Sequence, residues 1–437
     1  MKEVIKLKKD GSIEFETIKS HKNRLYFLCG FVCVVVLLVV FVVTRSHAKY
    51  RVTQSIPLVN GTINYSLPDL NIVGLYIDGE EATELDSSKK YTLDTTQSTC
   101  TYKDGSTIPN LTISYDSETG ALQISPFTTK GTKCTLYFNE QVFASDTILA
   151  GKTISTRSSF SSTLTTNTTG TIYQAEDDDG ITYYFAGNPS DNWVRWAGFY
   201  WRIIRINGDG TIRLIYQGTS ANTTGSGTQI STSAFNSSYN NNAYVGFKYT
   251  SGNEHGTGTN STILGVLNTW YSNNLSSYAD DIDGNAGFCN DRTPYSGSGT
   301  GTTATDYVAY NRLYTNKSPS FKCTNSSDLF TVSSASKGNR ALQYPIGLIT
   351  ADEVAYAGGV YGRSNSSYYL YTGEYYWTMS PNRFSSSIAR VFYVYSNGDL
   401  TNFYAYSAYG VRPVINLKAD IQITGGNGTS TNPYVIN

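Results

Sequence analysis

Charge is scarce in this chain. Asp, Glu, Lys and Arg make up 15% of the 437 residues, and the formal net charge is −1. Nucleic-acid binding needs a basic stripe, and none is present, so that partner is excluded. Histidine is scarcer still, with three residues. Only His47 and His255 follow the apolar segment described below, which supports a His-based triad poorly. No cysteine spacing resembles a zinc site, and no cofactor motif is found. What is abundant is Tyr (36 residues) and Gly (39), with much Thr, Ser and Asn. Hydrophobic residues at 39% suffice for a core, and the length suggests two or three domains. Low charge with this polar, aromatic composition suits an extracellular β-rich protein.

Residues 25–44, LYFLCGFVCVVVLLVVFVVT, form a run of 20 without charge. At 1.5 Å per residue such a helix crosses a hydrocarbon core of about 30 Å. Lys2, Lys6, Lys8, Lys9, Lys19, Lys22 and Arg24 precede it, and only Arg45, Lys49 and Arg51 follow closely. The positive-inside rule then puts the N-terminus in the cytoplasm and the rest outside, as a single-pass membrane protein. A cleaved signal peptide ending at Ser46-His47-Ala48 is the competing reading. The apolar run exceeds the usual length of roughly 7–15 residues, which favours an uncleaved anchor.

Cys29 and Cys33 sit in the apolar run, leaving Cys100, Cys134, Cys289 and Cys323 outside. Four cysteines allow three pairings. Paired in chain order they are 34 residues apart within each pair and fall in different candidate domains, so Cys100–Cys134 and Cys289–Cys323 are expected. An exported chain permits such bonds.

Residues 1–24 read as a cytoplasmic basic tail. From about residue 60 short strands and turns succeed each other, among them alternating Leu111-Thr112-Ile113-Ser114-Tyr115 and the turn before Ala121. Residues 45–144 are therefore expected as a small β-sandwich-like stalk, and Ser/Thr-rich residues 145–170 as a linker. Residues 171–437 mix strands and helices. Residues 199–206 and 211–216 flank Asn207-Gly208-Asp209-Gly210, which reads as a β-hairpin. Ile263, Leu264, Leu267, Trp270, Tyr271 and Leu275 make one apolar face of a helix over 261–279. Thr350 and Glu353 form a capping box for a second helix, stopped by Gly358-Gly359. Residues 284–336 read mostly as loop. The expected architecture of this last domain is α+β.

Residues 376–417 read YWTMSPNRFSSSIARVFYVYSNGDLTNFYAYSAYGVRPVINL. Both ends are apolar, and the middle is crowded with Tyr, Ser and Asn, the composition of a recognition surface. The competing reading is an ordinary polar β surface in a Tyr-rich chain. Leu348-Ile349-Thr350-Ala351-Asp352-Glu353 resembles the Thr-capped helix of formylglycine-generating-enzyme-type C-type lectin domains. Tyr376-Trp377-Thr378-Met379-Ser380-Pro381, Ala389-Arg390-Val391-Phe392 and Gly410-Val411-Arg412-Pro413-Val414 resemble the frame of the variable region in bacterial and phage proteins of this fold. The resemblance covers about residues 171–418. It implies a C-type-lectin-like fold and, as in some of those proteins, a face rewritten by a diversity-generating retroelement. Such rewriting of Asn codons cannot yield Lys, Glu, Gln, Met or Trp, and residues 382–409 contain none of the five.

Period two assigns Phe392 and Val394 to the core. Tyr393, Tyr395, Asn397, Asp399, Asn402, Tyr404, Tyr406, Ser407 and Tyr409 go to the ligand face, with a hairpin turn at Ser396-Asn397-Gly398. Asn382, Arg383, Ser385, Ser386 and Ser387 are expected as a neighbouring loop. Arg390 and Arg412 are assigned to the frame, because a planar guanidinium suits buried pairing.

Three functions follow. The first is a membrane-anchored receptor or adhesin binding an extracellular protein or glycan. The second is a cell-envelope hydrolase, with Asp177, Asp178, Asp179 and Glu353 as its candidate carboxylates. The third is a structural scaffold. Asp280-Asp281-Ile282-Asp283-Gly284-Asn285 lacks the glycine and final Glu of an EF-hand loop, and reads as a solvated turn. The oxidase activity of the resembled enzymes is not carried over, since Cys289 and Cys323 show no such motif.

Overall fold

Tyr-, Thr- and Val-rich segments form strands through most of the chain, because β-branched and aromatic side chains fit a pleated, half-buried surface. The computed structural model describes residues 70–436, apart from 88, 118, 127–130 and 335, together with the short strands Lys2–Leu7, Ile13–Ile18 and Ile56–Pro57. The chain divides into two units, Met1–Gln141 and Val142–Asn437.

The α+β architecture is corrected: among the described residues the protein is mostly β, with 14% helical. The helices are short for local reasons. In the segment 261–279, helix spans only Thr262–Asn274, where the Ser261 hydroxyl accepts from the Leu264 amide. The Asn274 and Ser276 side chains take the Trp270 and Ser272 carbonyls, and the chain tightens into a 3-10 turn. The capped helix Ala351–Ala357 ends after two turns at Gly358, whose φ of 122° breaks the helical path. The expected membrane span, residues 25–44, and the possible cleavage site at Ala48 lie outside the described residues. Among the described residues no helix is long and apolar enough to cross a membrane. In the expected basic tail, Lys2–Leu7 pairs antiparallel with Ile13–Ile18.

In the first unit Leu70–Ile77 runs parallel to the long strand Thr132–Gln141, which also pairs with Lys90–Leu93 and Thr99–Tyr102. A separate sheet contains the expected hairpin, Thr112–Asp116 with Ala121–Ser125. Leu75, Tyr91, Leu122, Ile124, Leu136 and Phe138 from both sheets form one core. Cys100 and Cys134 are direct ladder partners and are disulfide-bonded.

The second unit has two large sheets around one core that includes Trp201, Leu214, Leu267, Val354, Trp377, Met379 and Val414. The hairpin Phe199–Ile206 with Ile212–Gly218 lies in the first sheet, and Val414–Leu417 extends it. The second sheet centres on Tyr376–Ser385. Residues 145–170, expected as a linker, belong to this unit. Ala144 and Ile148 of the helix Ala144–Leu149 enter its core, and Thr153–Ser155 pairs in parallel with Thr171–Asp177. Lys152 Nζ reaches Asp191 Oδ2 at 2.6 Å. Residues 284–336 contribute the strand Thr305–Tyr307, which pairs with Tyr376–Ser385. They also carry the second disulfide, Cys289–Cys323.

Candidate functional site

Tyr376–Ser385 is buried on both faces over most of its length, with polar Thr378, Ser380 and Asn382 buried among its apolar residues. It pairs with Ile388–Val394 through a two-residue turn in which Ser386 and Ser387 take φ of 52° and 60°. That left-handed pair is the geometry of a tight hairpin, here without glycine. Ile388–Val394 then pairs with Leu400–Tyr404. The turn between them closes with Gly398 N donating to the Tyr395 carbonyl at 2.8 Å. Gly398 has φ of 82°, and a side chain there would strike the Asn365 carbonyl. Arg412, fully buried, donates to Gln217 Oε1 at 2.7 Å and to the Tyr216 and Leu370 carbonyls, tying the returning strand to the other sheet.

On one face the rings of Tyr375, Tyr409 and Tyr393 stack. Tyr409 lies 5.1 Å from Tyr375 and 4.9 Å from Tyr393, both nearly parallel. Trp377 supports the stack at 5.1 Å from Tyr409. Phe403 touches Tyr393 and Tyr404, Tyr404 stacks on Tyr406, and Tyr406 meets Tyr239 at 4.8 Å. Tyr395 packs edge-on against Tyr375 at 4.8 Å. The outermost rings are open to solvent: Tyr395 is 38%, Tyr406 43% and Tyr239 44% exposed.

Several placements differ from expectation. Tyr393 is 3% exposed, covered by Tyr409 and Trp377, so it is a foundation of the face rather than its surface. Asn382 is wholly buried within a strand, and its Oδ1 accepts from Arg383 Nε at 3.2 Å. Arg383 is likewise in the strand, half-buried over the Tyr310 ring at 3.9 Å. Asn402 and Tyr404 pair with Phe392 and Arg390, and so lie on the face opposite Tyr393 and Phe403. Arg390, expected in the frame, is half-buried with its guanidinium 4.6 Å from the Tyr404 ring. Asn402 Nδ2 donates to the Tyr361 hydroxyl at 2.6 Å.

The remaining expected residues line the rim. Ser386 and Ser387 are exposed, and Ser385 and Ser407 are half-buried. Exposed Asn397 donates to Ser364 Oγ at 2.8 Å. Asp399 accepts from the Arg363 amide at 3.0 Å, and burial pushes its carboxyl up to about 6. Tyr239, Tyr375, Tyr310, Tyr361 and Lys317 were not foreseen. Only Tyr375 borders the tract, and the others arrive from segments without a periodic signal.

The candidate carboxylates of a hydrolase are clamped. Arg205 reaches Asp177 Oδ2 at 2.6 Å and Glu353 Oε1 at 3.2 Å, and Arg213 reaches Glu353 Oε1 at 2.5 Å. Burial works against ionising Glu353, but Arg213 and Arg205 hold its carboxyl below the ordinary range. Asp178 accepts from the Cys323 amide at 2.9 Å, and Asp179 pairs with Lys337 at 2.9 Å. In the acidic segment 280–285, Asp281 accepts from Trp196 Nε1 and Asp283 caps its own turn. Among the described residues no cluster of three or more His, Cys, Asp or Glu is placed to hold a metal. Compared with protein-family models, curated proteins and solved structures, the chain matches none.

Proposed function

We propose that this chain is an extracellular ligand-binding protein, a receptor or adhesin, whose contact surface is the tyrosine cluster around Tyr395, Tyr406 and Tyr409. One observation carries the reading: Tyr395, 38% exposed, packs against Tyr375 and Tyr393 of the near-parallel Tyr375–Tyr409–Tyr393 stack, while exposed Tyr406 and Tyr239 pack on each other. Rigid, pre-positioned tyrosines supply contact area at little entropic cost. The two disulfides are consistent with an oxidising exterior. Attachment to the membrane rests on the residue sequence 25–44 alone. The resemblance to C-type lectin-like variable proteins fits a diversified face, and implies a protein or glycan ligand.

The test is the full chain applied to broad protein and glycan arrays, beside a Tyr395→Ala/Tyr406→Ala variant. Binding that the double substitution weakens by at least about tenfold supports the reading. An absence of binding, or binding indifferent to both substitutions, sinks it.

A further inference from the structure

Arg383 and Arg390 are direct cross-strand partners. Like charges directly opposite each other destabilise a sheet. Asp306 stands 3.7 Å from Arg383 Nε, a loose pair between partly exposed side chains. Arg390 has no ion-pair partner among the described residues, and its buried Nε has no hydrogen-bond partner. Each guanidinium lies over a tyrosine, Arg383 over Tyr310 and Arg390 over Tyr404. Lys317 adds a third cation. Its backbone is left-handed, with φ of 49°, and its Nζ sits 5.9 Å from the Tyr361 ring. It too has no ion pair among the described residues. Asn402 links these groups, donating to the Tyr361 hydroxyl and facing Arg390 Nη1 at 3.5 Å.

Planar guanidiniums match carboxylate or sulfate oxygens in pairs. The neutral groups among them, tyrosine hydroxyls and one amide, suit sugar hydroxyls. We propose that Arg383, Arg390 and Lys317, set among Tyr310, Tyr361 and Tyr404, form a subsite for an acidic sugar residue, its carboxylate or sulfate held at the arginine pair. The proposal rests on the ligand-binding reading above and adds to it a subsite on the opposite face of the sheet, with Arg390, Asn402 and Tyr404, whose ligand class is an acidic glycan. Arg383, Arg390 and Lys317, with Arg363 near Lys317 and with Asp306 and Asp399 offsetting part of the charge, suit a single anionic group rather than a long polyanion. An extended acidic peptide would pair along a free strand edge. The edge of Leu400–Tyr404 is partly taken by the Tyr361–Leu400 bridge.

The full chain is titrated by calorimetry with a uronic-acid oligosaccharide, a sulfated oligosaccharide, the neutral counterpart of each, and an acidic peptide of equal charge. The expected result is binding of at least one acidic sugar, its neutral counterpart being weaker by about tenfold or more. The uronate and sulfate arms separate the two sources of the anion. Arg383→Gln is expected to lower affinity about tenfold, and Lys317→Gln several-fold, at an unpaired position where folding is not at stake. Neutral sugars binding as well, the peptide binding in their place, no probe binding, or indifference to both substitutions overturns the proposal. If Tyr395→Ala/Tyr406→Ala abolishes capture of an array ligand that Arg383→Gln leaves untouched, the subsite fails while the tyrosine face stands.

Discussion

Tyr393 lies opposite Trp377 across the ladder of Tyr376–Ser385 and Ile388–Val394, their rings 5.9 Å apart. A residue from the polar middle of the tract is thus bonded into its apolar frame. Tyr393→Ala should cost about 3–5 kcal/mol, the range for emptying a buried aromatic site. Tyr395→Ala and Tyr406→Ala, on half-open rings, should each cost about 1 kcal/mol or less. Urea denaturation of the three variants checks this ordering, and equal losses would refute it.

Glu353 closes the capping box, accepting from the Thr350 amide at 2.9 Å, and also receives Arg205 and Arg213. Glu353→Gln leaves two buried guanidiniums short of charge. A loss of about 3–5 kcal/mol is expected, as for breaking other buried ion pairs. Denaturation at neutral pH measures it, and a change below about 1 kcal/mol would show that the pairs contribute little.

Burial raises the Asp399 carboxyl from 3.8 to about 6, against the opposing Gly362 and Arg363 amides and Lys317. The folded state therefore favours the protonated form. Its contribution to stability is complete below about pH 3.8 and is lost as pH rises through about 6. Asp399→Asn keeps an acceptor for the Arg363 amide and removes the charge. Melting temperature at pH 7–8 should rise, and its slope between pH 4 and 6 should flatten. Superimposable pH profiles for the two proteins would exclude this linkage.

His255 bridges Asp328 at 2.9 Å through Nδ1 and Glu254 at 2.9 Å through Nε2. The hydrogen bond to Asp328 raises its pKa above 6.5, with burial and Arg292 opposing. A raised histidine contributes stability that is complete below about pH 6.5 and disappears as pH climbs through the folded value. An NMR titration of the His255 ring should show the raised midpoint, and His255→Gln should remove this part of the pH dependence. A midpoint at or below the ordinary value contradicts the bridge.

Particular elements were legible because their signals are local. The turn Asn207-Gly208-Asp209-Gly210 marks its hairpin, and Thr350 with Glu353 marks its helix start. The overall balance was not legible. The apolar face over 261–279 implied a long helix, yet side chains capping the last carbonyls end it at Asn274. Residues 145–170 read as linker because Ser and Thr carry no periodicity, although Ile148 and Lys152 anchor them to the second unit.

The sequence by itself determined the hairpin, the capped helix and the apolar frame of the tract, while the structure selected the chain-order cysteine pairing among three. Turn residues and run length suffice for the first three. Tertiary structure decided which tyrosines meet solvent. Alternation assigns a residue to a face but does not say what covers that face. Tyr393 is covered because the later strand Ala408–Val411 brings Tyr409 over it. Arg383 and Arg390 became neighbours only through strand register, and Tyr310 and Lys317, from a short helical stretch and its end, and Tyr361 joined them. Contacts between segments tens of residues apart depend on packing, which leaves no periodic mark in the chain.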